Sequence, residues 1–169
     1  ALLLHPPTRL ARVADGLNGA QGVAVRLPTG DFPARPGHGV RAYPLAGVVD
    51  GAPQGGNEVG RGADLLESCA RQWLLQEALG YAHPRWWHVP LVTDETGRRL
   101  AKRSDDVSLA RLRAGGADPR RIVSWAARSG GIAVPPRIEA REVISAFDIE
   151  LLPRADVRIT SADLSAFGL

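Results

Sequence analysis

The reading of this chain turns on residues 58–106, EVGRGADLLESCARQWLLQEALGYAHPRWWHVPLVTDETGRRLAKRSDD. A Gly-Arg-Gly hinge carries Arg61, and apolar positions Leu65, Leu66, Cys69, Trp73, Leu74 and Leu79 then recur at helical spacing. This predicts a helix over 63–79, stopped by Gly80 with Pro84 shortly beyond. An apolar run, His88 to Val92, reads as a strand, and Asp94-Glu95-Thr96-Gly97 reads as a turn into Arg-Arg-Leu-Ala-Lys-Arg. Lys102 in that segment is the only lysine, the other twenty basic residues being arginine. Two explanations stand for it. A compact, movable ammonium suits phosphate, where arginine would impose a planar fork; equally, a surface loop is where lysines ordinarily sit.

Outward from this stretch, Val40 to Asp50 (VRAYPLAGVVD) reads as a buried strand, apolar on both faces, with Pro44 marking an irregular entry. Gly22 to Leu27 is a second candidate strand in an otherwise irregular region, 1–39. The glycine-rich loop 51–62 lacks the spacing of a P-loop or a dinucleotide turn, so its glycines read as turn formers. Ser108 to Arg113 predicts a short helix ended by Gly115-Gly116. Asp118-Pro119 opens another, with Ile122, Val123, Ala126 and Ala127 inward. Ile138 to Phe147 predicts a third helix, and the remainder has no firm pattern.

The 169 residues suffice for a real core, and 44% apolar with 23% charged is globular composition. The net charge of +3 is unevenly spread. Residues 98–128 hold nine basic groups against three acidic, whereas the flanking regions are slightly negative. A phosphate-rich ligand would account for such a concentration, as would an ordinary solvated face. The single cysteine, Cys69, excludes a disulfide framework and suggests a reducing, cytoplasmic setting; its position on an apolar face reads as core filling. No apolar run approaches the roughly 20 residues that cross a bilayer. His5, His38 and His83 are scattered and make no zinc pattern with that one cysteine, so no metal site is expected. Without further context, Tyr43 reads as a half-buried core aromatic, Arg61 as a surface or capping arginine, and His88 as a hydrogen-bonded structural histidine.

Three ordered segments, RGADLLESCARQ (61–72), HVPLV (88–92) and GRRLAKR (97–103), are similar to the second half of the catalytic domain of class I glutamyl-tRNA synthetases. There the patterns run R-G-x-D-L-L-x-S-T-x-R-Q, H-L-P-L and K-L-S-K-R/Q. VRAYPLAGVVD extends the resemblance upstream, and Asp15-Gly16-Leu17-Asn18-Gly19 does so more weakly. About sixty residues follow the Lys102 loop, which matches the short glutamyl-Q tRNA(Asp) synthetase branch, built without an anticodon-binding domain.

The resemblance implies an α/β fold: the second half of a class I Rossmann-type nucleotide-binding fold with a short helical C-terminal tail. It divides the chain into the tail of an acceptor-end-binding insertion (1–39), the catalytic half with its signature loop (40–106) and a helical, stem-contact-like tail (107–169). It implies ATP, as its magnesium complex, L-glutamate and tRNA as substrates, the acceptor being the queuosine base of tRNA(Asp). Residue by residue, Lys102 matches the catalytic lysine that meets ATP, flanked by Arg99 and Arg103, and His88 lies near the ATP site. Tyr43 and Arg61 match the glutamate-binding pair. Ala101 replaces the usual serine, Gly51 an aspartate and Cys69 a threonine. The family's His-Ile-Gly-His signature and zinc ligands have no counterpart in these 169 residues, so a partner N-terminal half is expected. A truncated ordinary glutamyl-tRNA synthetase, or a non-catalytic remnant binding RNA or a protein partner, are the alternatives.

Overall fold

The computed structural model describes residues 2–4, 11–25, 32–35, 41–100 and 107–168. Lys102 and Arg103 lie outside the described residues. The chain forms two compact units, Ala1–His88 and Val89–Leu169.

In the first unit, β1 (Leu2–Leu4) pairs antiparallel with β4 (Phe32–Arg35). β2 (Ala11–Asp15) turns at residues 16–18 into β3 (Gly19–Val25), its antiparallel partner. β2 also runs parallel to β6 (Arg85–Val89) through Asp15 and Trp86. With β5 (Glu58–Gly62) at the far edge, the sheet order is β3-β2-β6-β5. β6 is an inner strand, and its Trp86, Trp87 and His88 are all buried. Gly16 exists because of Trp87: a Cβ there would fall 2.3 Å from the indole ring.

Residues 43–51 form a helix, α1 (Tyr43–Gly51), where the sequence predicted a strand over Val40–Asp50. Pro44 explains the difference. In the first helical turn its fixed φ is already helical and its missing N–H has no helical acceptor to lose. Leu45 and Val48, three apart, then share one face and pack on Leu74 and Leu75. The predicted 63–79 helix is a 3-10 turn, Ala63–Leu65, followed by α2 (Ser68–Leu79). Gly80 ends it at φ 71°. Wedged between α1 and the sheet, α2 buries Leu74 and Leu75 on one side and Cys69 against Val13 and Trp86 on the other. Leu79, predicted inward, is 44% exposed.

The predicted strand His88–Val92 is broken in two. β6 ends at Val89, Pro90 has no N–H to continue a ladder, and β7 (Val92–Thr93) belongs to the second unit. There β7 pairs in parallel with β8 (Val157–Arg158). The 94–97 turn forms as predicted: Asp94 Oδ1 accepts from the backbone N–H of Thr96 (3.0 Å) and of Arg98 (2.9 Å). It returns the chain so that Arg99 bridges Thr93 antiparallel.

α3 (Leu109–Ala114) forms where a short helix was predicted, with Ser108 as its cap rather than its first residue, and α4 (Pro119–Ser129) is capped by Asp118 as predicted. α4 is turned slightly from expectation: Ser124 and Ala127 are buried, Ile122 and Trp125 pack on the core, and Ala126 is exposed. The predicted helix Ile138–Phe147 is shorter, α5 (Ala140–Val143) plus a 3-10 turn, Ile144–Ala146. The unpatterned end contains α6 (Ser161–Phe167), started by a Thr160/Asp163 capping box. Its Phe167 joins Leu112 and Ile159 as the core of this unit.

Candidate functional site around Arg61

Among the described residues of the first unit, the one buried carboxylate, Asp15, lies at the end of β2, with the half-buried Arg61 close by. Asp15 closes that strand with its carboxylate 1% exposed. Its Oδ1 accepts from the backbone N–H of Leu17 (3.1 Å) and Asn18 (2.9 Å) and from Asn18 Nδ2 (2.9 Å). These bonds make the tight 16–18 turn. Its Oδ2 accepts from His88 twice, from the backbone N–H at 3.0 Å and from ring Nδ1 at 2.6 Å. Burial alone would push the Asp15 carboxyl up, but the His88 and Asn18 hydrogen bonds outweigh it and hold the group below its ordinary range.

A carboxylate only accepts, so Nδ1 of His88 carries the proton and Nε2 presents a lone pair. Toward that lone pair Arg61 donates Nε–H at 3.0 Å. The guanidinium donates further from Nη1 to Gln72 Oε1 at 2.6 Å and from Nη2 to Cys69 Sγ at 2.8 Å. Cys69 Sγ also lies 3.3 Å from His88 Nε2. Burial raises the thiol above its ordinary range although Arg61 pulls the other way, so Cys69 is a neutral SH. Beneath, Trp86 offers its ring face, 4.6 Å from the guanidinium carbon.

Arg61 is therefore held by three neutral acceptors: an imidazole, an amide and a thiol. Among the described residues no carboxylate pairs with it. Of its five N–H donors, three are used in these bonds. One N–H on each terminal nitrogen is left, on a side chain that is half-buried rather than enclosed.

The predicted site residues fall as follows. Arg61 and His88 are brought together. Tyr43 opens α1 and is 56% exposed, not half-buried. It shares a helix face with Gly47, one turn on, and a Cβ at Gly47 would be 3.0 Å from Gln72 Nε2, the other end of the amide that holds Arg61. His88 has a side chain 0% exposed with both ring nitrogens engaged, so a contact with ATP would require it to give up one of these partners. Arg99 is exposed in the second unit's hairpin. Asp15, Gln72 and the bonding role of Cys69 were not anticipated; the D-G-L-N-G turn around Asp15 was the one local signal available.

The second unit has its own cavity, of about 410 Å³, lined by Arg121, Trp125, Arg128, Arg137, Asp163 and Phe167 among others. Arg121, Trp125 and Arg128 lie on one face of α4. No described helix is long and apolar enough to cross a membrane.

No family model matches the chain. It is 38% identical over 184 aligned residues to a glutamyl-Q tRNA(Asp) synthetase of Symbiobacterium thermophilum, covering 98% of this chain and 57% of that protein. It is 42% identical over 154 residues to one of Nocardia farcinica, covering 91% and 47%. The chain thus spans about half the length of the curated relatives it matches. A glutamate-tRNA synthetase of Elizabethkingia anophelis has the same fold over 96% of this chain and 37% of its own, with a TM-score of 0.77 at 22% identity. The mixed α/β architecture and these alignments agree: along nearly its whole length the chain is a relative of the glutamyl-Q tRNA(Asp) synthetases.

Proposed function

We propose that this chain is the C-terminal half of an enzyme that activates L-glutamate with ATP and transfers it to tRNA, the queuosine base of tRNA(Asp) being the acceptor. It contributes the second half of a class I Rossmann-type catalytic domain. One observation carries the reading: among the described residues the Arg61 guanidinium is fixed by neutral acceptors, with two N–H groups left over. A half-buried cation with no counter-charge among the described residues favours an anionic ligand, and two N–H groups suit the paired oxygens of a carboxylate. Glutamate supplies that group, and the Tyr43 hydroxyl, reached along α1, takes a second polar group of the amino acid.

In the first step a carboxylate oxygen of glutamate attacks the α-phosphorus of magnesium-bound ATP, and pyrophosphate leaves. Lys102, with Arg99 and Arg103, neutralises the charge that builds on the phosphates. In the second step an RNA hydroxyl attacks the activated carbonyl and AMP leaves. Such chemistry depends on positioning and charge neutralisation more than on a side-chain nucleophile.

Glutamate-dependent ATP–pyrophosphate exchange tests this, run with residues 1–169 alone and with the half-domain that carries His-Ile-Gly-His. Exchange in the mixture, abolished by Lys102→Ala and with a raised glutamate KM in Arg61→Lys, is expected. No exchange in either arrangement overturns it. The second reading is then an RNA-binding module, favoured by the three arginines and Trp125 around the second unit's cavity. A ring face beside cations is the chemistry that takes a base and its phosphates. In that case Arg128→Ala weakens tRNA binding although no exchange is ever seen.

A further inference from the structure

Arg61 has a flexible side chain with several rotatable bonds, yet its Nε–H is aimed at a single lone pair. What decides that the lone pair is there is not Arg61. An imidazole offers either nitrogen as acceptor, according to which one holds the proton. Asp15 makes the choice. Its Oδ2, 2.6 Å from Nδ1, can only accept, so the proton stays on Nδ1 and Nε2 remains bare. The carboxylate is itself anchored by the His88 backbone N–H and by Leu17 and Asn18. The imidazole side chain is 0% exposed, so no water competes for either nitrogen.

We propose that Asp15 and His88 are positioning residues for Arg61: the carboxylate sets the imidazole tautomer, and the tautomer orients the guanidinium so that its two unused N–H groups face the ligand. The inference rests on the reading of Arg61 as the carboxylate receptor. It gives a physical reason for an ion-pair-competent aspartate lying one imidazole away from a cation instead of touching it. Direct pairing of Asp15 with Arg61 would consume the fork meant for the ligand. The interposed ring passes on orientation without cancelling the charge. Cys69 and Gln72 hold the terminal nitrogens, and the His88 bond to Nε is the third anchor of the rigid guanidinium, the one whose acceptor depends on a tautomer.

The test uses the full chain, labelled with nitrogen-15. In the wild type, long-range proton–nitrogen correlation spectra of the imidazoles are expected to show His88 with its proton on Nδ1, and a resolved, slowly exchanging Nε–H signal for Arg61. A proton on Nε2 overturns the proposal without any variant. Asp15→Asn keeps an oxygen for Leu17 and Asn18 but places an NH₂ against Nδ1. The proton must then move to Nε2, where it opposes the Arg61 N–H. Exchange of the Arg61 Nε–H should accelerate about tenfold or more, the factor that loss of a hydrogen bond involving a charged group corresponds to. His88→Gln, whose amide oxygen restores an acceptor for Arg61 in the absence of a titratable ring, should recover slow exchange.

A folded Asp15→Asn protein with the Arg61 signal unchanged overturns the positioning role. If the variant unfolds, the His88→Gln and wild-type spectra decide alone. Glutamate KM in the reconstituted exchange assay separates the two readings. An Arg61 signal that responds to Asp15 while Arg61→Lys leaves KM unmoved upholds the relay and removes Arg61 as the glutamate receptor.

Discussion

Replacing Gly16 by alanine should destabilise the first unit more than any other single methyl added to it. An ideal Cβ at this position lies 2.3, 2.4 and 2.7 Å from three carbons of the Trp87 ring. Carbon atoms settle at about 3.5–4.0 Å, so ring and strand must separate by roughly 1.2 Å. The backbone of Gly16 is not in the left-handed region, so the whole effect is steric. Trp87 is 6% exposed, with Arg85 over its ring, and has little room to swing. Overpacking a filled site costs about 1–3 kcal/mol, and with three ring atoms inside contact distance the upper end applies. At roughly 4–8 °C per kcal/mol for a unit of this size, the midpoint of its transition falls by about 12–24 °C. The Gly16 N–H to Trp86 carbonyl bond of 2.8 Å, next to Asp15, sits under the same wedge. Urea unfolding followed by tryptophan fluorescence reads this directly, since Trp73, Trp86 and Trp87 all lie in the first unit. Gly51→Ala is the control: nothing lies within 4 Å of its Cβ, and a small gain of about 0.4–1 kcal/mol is expected. A Gly16→Ala protein within about 0.5 kcal/mol of wild type would refute the packing account.

Three further outcomes follow from the geometry. Cys69 is 0% exposed and its thiol is pushed up by burial, so an aromatic disulfide reagent should leave it unmodified in the native protein and titrate it fully in denaturant. Asp15 has a folded pKa below its unfolded value of about 3.9. Its contribution to stability is therefore complete above that value and is lost as pH falls through the folded pKa. The urea midpoint of Asp15→Asn should accordingly decline less steeply than wild type between about pH 5 and pH 2. Thr160→Ala removes the hydroxyl arm of the α6 capping box, leaving the backbone N–H of residue 160 on the Asp163 carboxylate, and should cost the second unit about 1 kcal/mol, measured by thermal unfolding.

Local chemistry made much of the fold legible in advance. Asp94 and Gly97 name their own turn, Ser108 and Asp118-Pro119 name helix starts, and Gly80 names a stop, because each acts through bonds within a few residues. The 40–50 segment failed for the converse reason. Its apolar run has no clear period, and valines at 48 and 49 argued for a strand, while the decisive contacts with Leu74 and Leu75 lie a helix away. Pro90 could have been read as a break within 88–92 and was not. At the site, the resemblance picked out Arg61 and His88 separately, 27 residues apart. Their bond comes from β5 lying beside β6, and the Asp15 carboxylate, 73 residues from His88, is brought in by β2 on the other side of β6, which no short window of sequence contains.

The neutrality of the three groups around Arg61 has a consequence for how the site can be silenced. Gln72 differs from glutamate by the exchange of one amide nitrogen for oxygen, and its Oε1 already sits 2.6 Å from Nη1. A glutamate at that position would be a tethered mimic of a free carboxylic acid, always present at high local concentration. The cation would then be spoken for before any diffusing acid arrived, and a single-atom substitution in the helix behind would turn an open receptor into a self-inhibited one.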